Sequence, residues 1–130
     1  LEATTDVFAP CAIGGVLDGR RAERLATRLV CGSANNVLAD PLAGEILERR
    51  GVVYAPDIVV SAGAVIEGVF AVLAREGEPL AGTVDAHVEA TSSRCRDLLL
   101  GARERGTRPE VEATARAEEE LTRRARSGVS

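Results

Sequence analysis

Lysine, methionine and tryptophan are absent from this sequence of 130 residues, and it has only one tyrosine and two phenylalanines. Because lysine is absent, any reaction that needs a titratable amine must take it from outside this chain. Because aromatic residues are so few, the core must be built from alanine, valine, leucine and isoleucine. The basic residues are all arginines, and a net charge of −4 without a basic stripe argues against nucleic acid as a partner.

Long apolar runs and a cysteine framework are also missing. No apolar run approaches the roughly 18 residues that a membrane-spanning helix needs, and no signal peptide is visible at the N-terminus. The three cysteines, Cys11, Cys31 and Cys95, are widely spaced and odd in number. This pattern favours reduced, buried thiols over disulfides or a zinc site. We therefore expect a cytoplasmic protein of about one domain's length, with no membrane partner and no metal.

An apolar strand, a small or polar break and a helix follow one another three times along the chain. Strands are predicted at residues 6–10, 29–31 and 52–54, and the third is expected to continue at residues 58–60 beyond Pro56. Repetition at this spacing predicts parallel strands joined by right-handed crossovers. The fold class is therefore α/β.

Signals at the helix ends mark where the helices lie. Asp40 followed by Pro41 indicates a helix start, and Gly51 indicates its end. A turn is expected at residues 18–19, followed by a short exposed helix at residues 20–27. The helix at residues 64–75 has so few polar positions that it should be largely buried, and Gly77 and Pro79 should end it. From Thr83 a long amphipathic helix is expected up to residue 106, and a capping box at residues 107–110 is expected to open a last helix.

Two consecutive amides, Asn35 and Asn36, stand just beyond the second strand. In a parallel sheet this position lies at the carboxyl ends of the strands, where α/β domains bind ligands. Such amides can serve as turn and cap residues, which the spacing alone favours, or they can read a polar ligand. Asp57 is interpreted as a turn residue, and His87 as an exposed or packed side chain rather than a base.

The loops at the three strand ends carry further motifs. They read Asp-Val-Phe-Ala-Pro-Cys-Ala-Ile-Gly-Gly at residues 6–15, Gly-Ser-Ala-Asn-Asn at residues 32–36, and Tyr-Ala-Pro-Asp at residues 54–57 with Ser-Ala-Gly at residues 61–63. In this order and spacing they resemble the glutamate/leucine/phenylalanine/valine dehydrogenase family, and most of all its phenylalanine, leucine and valine members. That resemblance implies oxidative deamination of an L-amino acid to its 2-oxo acid and ammonia, with hydride passed to NAD.

The resemblance covers only part of such an enzyme. It implies that residues 1–82 are the second half of a doubly wound Rossmann-type NAD-binding domain and that residues 83–130 are a C-terminal helical segment. The Gly-x-Gly-x-x-Gly phosphate turn does not occur in this chain. The substrate domain with the family's catalytic lysines is also missing, so no catalytic residue is expected here. The implied partners are an L-amino acid or 2-oxo acid, the missing N-terminal part of the enzyme, and further copies in a homo-oligomer.

The resemblance also implies a cofactor site. Ala12 and Ile13 would line the dinucleotide, although the same residues also suit a tight packing corner between strand and helix. Ser33, Ala34 and Asn35 would approach the nicotinamide, and the Asn35 amide would meet the substrate as well.

Three further positions follow from the resemblance. Ser61 stands where the family usually has Asn beside the nicotinamide, and losing one such hydrogen bond costs roughly 1 kcal/mol. This departure implies a weakened or retuned contact. Val65 and Gly68 would form the floor of the substrate side-chain pocket, where Gly68 would leave room for a larger substrate.

We therefore expect part of an NAD-dependent dehydrogenase of hydrophobic L-amino acids, contributing the nicotinamide side of the cofactor site. The alternative is a truncated, non-catalytic α/β module that acts in interaction or oligomerisation through an exposed sheet edge and its long helices.

Overall fold

A computed structural model of the chain describes residues 4–77 and 82–127. Within these residues three short parallel strands, β1 (Val7–Phe8), β2 (Leu29–Val30) and β3 (Val53–Tyr54), form a sheet in the order β1-β2-β3. Leu29 pairs with Val7 on one side and with Val53 on the other. The predicted α/β class with parallel strands is confirmed.

Six helices accompany the strands within the described residues. They are α1 (Gly19–Arg24), α2 (Pro41–Arg49), α3 (Asp57–Val60), α4 (Gly63–Glu76), α5 (Val84–Arg105) and α6 (Pro109–Ser127). The predicted boundary between residues 82 and 83 stays a prediction. The predicted helix stop at Pro79 lies outside the described residues.

Most of the predicted helix ends are confirmed. The Asp40 carboxylate accepts a hydrogen bond from the Ala43 amide at 2.9 Å, and Pro41 occupies the first position of α2. The Thr83 hydroxyl accepts one from the Ala86 amide at 3.2 Å. Gly106 ends α5 with a φ of 63°, a left-handed conformation that glycine adopts at little cost.

The apolar core lies between the sheet, α1 and α2. Its buried members are small and aliphatic apart from Tyr54, as the composition predicts, and include Leu17, Leu25, Val30, Val37 and Leu47. Each such side chain contributes about 1.5–3 kcal/mol when fully buried.

Arg50 closes the end of α1 from outside that helix. Its guanidinium donates to the carbonyl oxygens of Ala22 at 2.5 Å and Leu25 at 2.8 Å. These are carbonyl groups of the kind that a helix C-terminus leaves without intrahelical partners.

An ionic cluster joins α5 to α6. The side chain of Glu112, only 8% exposed, accepts hydrogen bonds from the Nε atoms of Arg105 at 2.9 Å and Arg116 at 2.5 Å. These hydrogen bonds hold the pKa of Glu112 below its usual value. The Thr107 hydroxyl also donates to Glu112, at 3.4 Å. Because α6 begins at Pro109, one residue later than a capping box at Thr107 requires, the predicted capping box is wrong.

Three further sequence predictions are also wrong. Residues 58–60 belong to the helix α3 and do not continue β3. Asp18 does not simply mark a turn but begins α1, where its carboxylate accepts from the Arg21 amide at 2.7 Å. The cysteines are free, as expected, but Cys11 is exposed and the other two are only half-buried.

The expected burial of α4 is also wrong. None of its residues is buried, and Val65 is 67% exposed. One side of α4 packs against α5, where Phe70 and His87 meet edge to face with 5.3 Å between ring centroids. Its remaining apolar sides face outward. The contact with Phe70 confirms His87 as a packed side chain.

The described residues contain neither a membrane-spanning helix nor a cluster of metal ligands. None of the helices found there combines the length and apolar character that crossing a membrane requires. Among the same residues, no group of three or more potential metal ligands comes together.

Candidate functional site

Two loops lie side by side at the carboxyl ends of β1 and β2. The first loop, residues 9–18, and the second loop, residues 31–40, are joined by backbone hydrogen bonds. The Ala34 amide donates to the Pro10 carbonyl at 2.9 Å, and the Gly15 amide donates to the Asn36 carbonyl at 2.6 Å. A Cβ atom on Gly14 would lie 2.5 Å from the Asn35 carbonyl oxygen, so only glycine permits this approach.

Asn35 contacts Ser61, which lies beyond the third strand. The Ser61 hydroxyl oxygen is 2.6 Å from Asn35 Oδ1 and 2.6 Å from the Asp57 carbonyl oxygen. We call Asn35 and Ser61 the amide–hydroxyl pair. The structure thus brings together the second loop and the segment after β3, as the sequence motifs predict.

The hydroxyl has a single proton, so it can donate to only one of these two oxygens. The oxygen and nitrogen of the Asn35 amide are assigned from the hydrogen bonds that they can make. Turning the amide by 180° places its NH2 group against Ser61 in place of Oδ1. Asn35 then donates to the Ser61 oxygen while Ser61 donates to the Asp57 carbonyl. Every group is satisfied in that arrangement, and the Asn35 carbonyl is directed away from the pair.

Asp57 is the buried group beneath this pair. It is 8% exposed, its Oδ2 accepts from the Val37 amide at 2.7 Å, and its Oδ1 accepts from the Ile58 amide at 2.7 Å. The interpretation of Asp57 as a simple turn residue is therefore incomplete. An acidic residue directly after Pro56 and before an apolar run is typical of a first helical turn, so the sequence carried a signal for the contact with Ile58 but none for the contact with Val37.

Tyr54 completes the surroundings of Asp57. The Tyr54 hydroxyl lies 3.4 Å from the Asp57 amide, which donates to it. Burial raises the pKa of Tyr54, and the neighbouring Asp57 carboxylate adds to the effect. Tyr54 therefore stays protonated and neutral beside the buried carboxylate.

The remaining predicted cofactor residues lie on the two loops. Ala12, Ile13 and Ser33 are exposed, Ile13 at 70%, whereas Ala34 is buried in the core. The backbone and hydroxyl of Ser33 lower the pKa of the exposed thiol of Cys11 by hydrogen bonding. None of the six predicted cofactor residues is charged, so the set fits the neutral amide end of a nicotinamide dinucleotide better than its phosphates.

Val65 and Gly68 follow Ser61 by four and seven residues. Ser61 lies two residues before α4 begins, and Val65 and Gly68 lie three residues apart in its first two turns, a spacing that places those two on one helix face. Val65 is exposed, and a Cβ atom on Gly68 would have no neighbour within 4 Å. This face is open, as a pocket floor requires.

Asn36 has a different role from its neighbour. Its φ is 53°, so it is a left-handed turn residue, and its carbonyl is the acceptor for Gly15. The cap of α2 is instead provided by Asp40. The sequence left turn, cap and ligand-reading roles open for the two amides, and the structure shows Asn36 in a turn.

Cys31 is the first residue of the second loop, and Cys95 lies on α5. Both line an open cavity of about 650 Å³, whose other walls include Val60, Gly63 and Leu99. Burial raises the pKa of Cys95, so its thiol stays protonated and unreactive. This favours a packing role.

Comparison with known proteins agrees with these motifs. Residues 1–123 match the family described as Glutamate/Leucine/Phenylalanine/Valine dehydrogenase. The chain is 48% identical over 65 residues to the leucine dehydrogenase of Thermoactinomyces intermedius, a match that covers 50% of this chain and 18% of that protein.

Solved structures share the fold along nearly the whole chain. L-tryptophan dehydrogenase from Nostoc punctiforme matches with a TM-score of 0.79 and 26% identity, over 94% of this chain and 36% of that one. Hetero-hexameric glutamate dehydrogenase from Thermus thermophilus, in a leucine-bound form, matches with a TM-score of 0.73 and 26% identity, over 96% and 31%. The chain therefore spans well under half the length of the proteins that it matches.

Proposed function

The chain belongs to the glutamate/leucine/phenylalanine/valine dehydrogenase family, and we propose that it supplies the nicotinamide side of the NAD site in an enzyme that oxidatively deaminates a hydrophobic L-amino acid. The observation that carries the proposal is the contact between Asn35 and Ser61, 2.6 Å apart at the carboxyl edge of a parallel sheet. Two uncharged polar side chains there suit a neutral carboxamide.

NAD, when bound, accepts the hydride that leaves the α-carbon of the amino acid. The residues of this chain have supporting roles. In the turned orientation of the amide, the NH2 group of Asn35 donates to Ser61 and its carbonyl oxygen faces outward, where it would present an acceptor to the carboxamide or to the substrate amino group. The same edge of the sheet is lined by Ala12, Ile13, Ser33 and Ala34. The exposed Ile13 offers an apolar surface to the nicotinamide ring.

The open face of α4 supports the proposed substrate class. Val65 is apolar and 67% exposed, and the space beside Gly68 is empty. Such a floor favours an apolar side chain of considerable size. Proton transfer by a lysine amine would have to come from residues outside this chain, since it contains none.

The rest of the NAD-binding domain and the substrate domain would likewise come from outside this chain. We further propose that the enzyme is a cytoplasmic homo-oligomer. One structurally similar enzyme is a hetero-hexamer, which supports assembly in general.

The two halves of the dinucleotide, offered separately, test the proposal. Nicotinamide mononucleotide should shift the NMR signals of Ile13, Ser33, Asn35 and Ser61 in the 130-residue chain. Adenosine monophosphate, which carries the same phosphate, is the matched control and should leave them in place. Equal shifts with both nucleotides, or none with either, would contradict a nicotinamide site.

The alternative is a non-catalytic module for interaction or oligomerisation. One specific observation favours it: α4 exposes Val65, Val69 and Val72 together, at 67%, 46% and 52%. An unchanged spectrum with nicotinamide mononucleotide, combined with concentration-dependent association, would support this alternative instead.

A further inference from the structure

Asp57 is a buried carboxylate whose two oxygens accept from backbone amides in two different segments of the chain. Its Oδ2 accepts from the Val37 amide in the second loop, and its Oδ1 accepts from the Ile58 amide in α3. Val37 is itself buried, at 1% exposure, and lies two residues beyond Asn35. The carboxylate therefore links the segment that carries Asn35 to the segment that carries Ser61.

The backbone of Asp57 extends this link. Its carbonyl oxygen lies 2.6 Å from the Ser61 hydroxyl, and it also accepts from the Ser61 amide at 2.8 Å. One residue thus holds both members of the amide–hydroxyl pair, Asn35 through Val37 and Ser61 directly. We propose that Asp57 is a positioning residue that sets the orientation of the Asn35 amide toward its ligand, an inference that rests on the proposed function.

The chemistry of the link requires a carboxylate. Both Asp57 oxygens face N–H donors, and an ionised carboxylate can accept on both sides. An asparagine has one oxygen and one NH2 group, so one of the two backbone donors would face another donor. A buried donor without an acceptor is costly, and the second loop would move away to find water.

The Tyr54 hydroxyl gives the carboxylate a further neighbour. Because Tyr54 stays protonated, its O–H can donate to Asp57 without adding charge to the buried site. Tyr54 and Asp57 lie on either side of Ala55 and Pro56, both buried, so this part of the chain is fixed by the core. The link therefore connects the exposed amide to the rigid interior.

The test uses Asp57→Asn in the 130-residue chain, with Asp40→Asn as the matched control. Asp40 accepts a single amide hydrogen bond at a helix start, where asparagine serves equally well. We expect Asp57→Asn to speed hydrogen exchange at the Val37 amide by about tenfold or more and to weaken binding of nicotinamide mononucleotide by a similar factor. Asp40→Asn should change either quantity by less than about twofold.

If Asp57 had a purely structural role, Asp57→Asn would lower the melting temperature without a specific change at Asn35 and Ser61. The decisive readout is therefore the difference in chemical shift between the two Asn35 side-chain NH2 protons, which a fixed hydrogen bond keeps wide in the wild type and which should narrow toward that of a free amide in Asp57→Asn. If that variant does not fold, Tyr54→Phe gives a second route, because it removes one neighbour of the carboxylate and keeps both backbone hydrogen bonds. Val37 exchange should then rise by about threefold.

Unchanged Val37 exchange and unchanged Asn35 signals in Asp57→Asn would overturn the proposal. Failure of the wild type to bind nicotinamide mononucleotide would contradict the proposed function alone, since the exchange and NH2 signals still decide on Asp57. If the wild type binds nicotinamide mononucleotide and Asp57→Asn binds it with the same affinity, the positioning role is rejected and the proposed function stands.

Discussion

Gly32 lies directly against Pro10: a Cβ atom on residue 32 would be 2.6 Å from the Pro10 nitrogen and 2.7 Å from its carbonyl carbon. These are backbone atoms, so Gly32→Ala must push the first and second loops apart. We expect a loss of at least about 2 kcal/mol in unfolding free energy, measured with urea. Gly68→Ala is the control, because its Cβ enters open space within α4. It should raise stability by about 0.5–1 kcal/mol, and equal effects of the two substitutions would contradict the close approach.

Asn35 and Asn36 should respond differently to alanine. In a complete dehydrogenase that carries this segment, Asn35→Ala should lower kcat/KM by about tenfold or more, because under the proposed function its amide contacts the ligands. Asn36→Ala should lower the melting temperature with little kinetic effect, since alanine in a left-handed conformation costs about 1–2 kcal/mol. Asn36→Gly should restore stability. If the two alanine variants exchange these effects, the assignment of the pair is wrong.

The isolated chain should have no dehydrogenase activity. It lacks the Gly-rich phosphate turn and every lysine, and hydride transfer needs cofactor and substrate held at near-contact distance. The assay follows NADH formation with L-phenylalanine, L-leucine or L-valine. Turnover above the background without protein would refute this expectation.

Acid should weaken the contact between α5 and α6, because protonation of Glu112 removes its charge from the ionic cluster with Arg105 and Arg116. Hydrogen bonds from Arg105 and Arg116 lower the pKa of Glu112 in the folded chain, so its stabilising effect is fully present above the unfolded-state pKa and is lost as pH falls toward the folded value. Unfolding measured between about pH 6 and pH 3 should therefore show a decline that Glu112→Gln reduces.

Glu120 provides the comparison for this pH experiment. Hydrogen bonds from the exposed Arg123 and Arg124 lower its pKa to about 2, but water and salt screen such a surface cluster. Glu120→Gln should change the acid decline little at high salt. A wild-type decline that persists fully in Glu112→Gln would show that another carboxylate is responsible.

The exposed apolar face of α4 should promote self-association. Val69 and Val72 leave an apolar surface with no described residue covering it, and such surfaces bind one another in water. Sedimentation of the chain should show dimers or larger species that increase with concentration. Replacing both valines by glutamate should shift the chain toward monomer. A wild-type monomer across a wide concentration range would contradict this expectation.

The ends of helices could be predicted from the sequence, whereas the burial of a helix by its neighbours in the fold could not. Asp40, Pro41 and Gly51 mark their helix correctly, because capping depends on a few neighbouring residues. Residues 58–60 were wrongly predicted as strand, since the periodicity of a short β-branched run does not distinguish a strand from a helical segment. The exposure of α4 also escaped prediction, because apolar composition does not specify which neighbours cover a helix.

The candidate site shows the same division. The loops and their small and amide residues were visible as motifs, and the contact of Asn35 with Ser61 agrees with them. The role of Asp57 was missed because it depends on Val37, twenty residues away, and no local pattern encodes that distance.

The single proton of Ser61 has a consequence for how recognition in this family can change. An asparagine at that position, as the resemblance leads one to expect, offers both a donor and an acceptor and could face Asn35 in either amide orientation. When the Asp57 carbonyl takes the single proton of Ser61, the hydroxyl can only accept from residue 35, so it selects one of the two amide orientations. Polarity at residue 35 is thereby determined at residue 61. A substitution at residue 61 could therefore change whether Asn35 binds a donor or an acceptor group of the ligand, although Asn35 itself is unchanged.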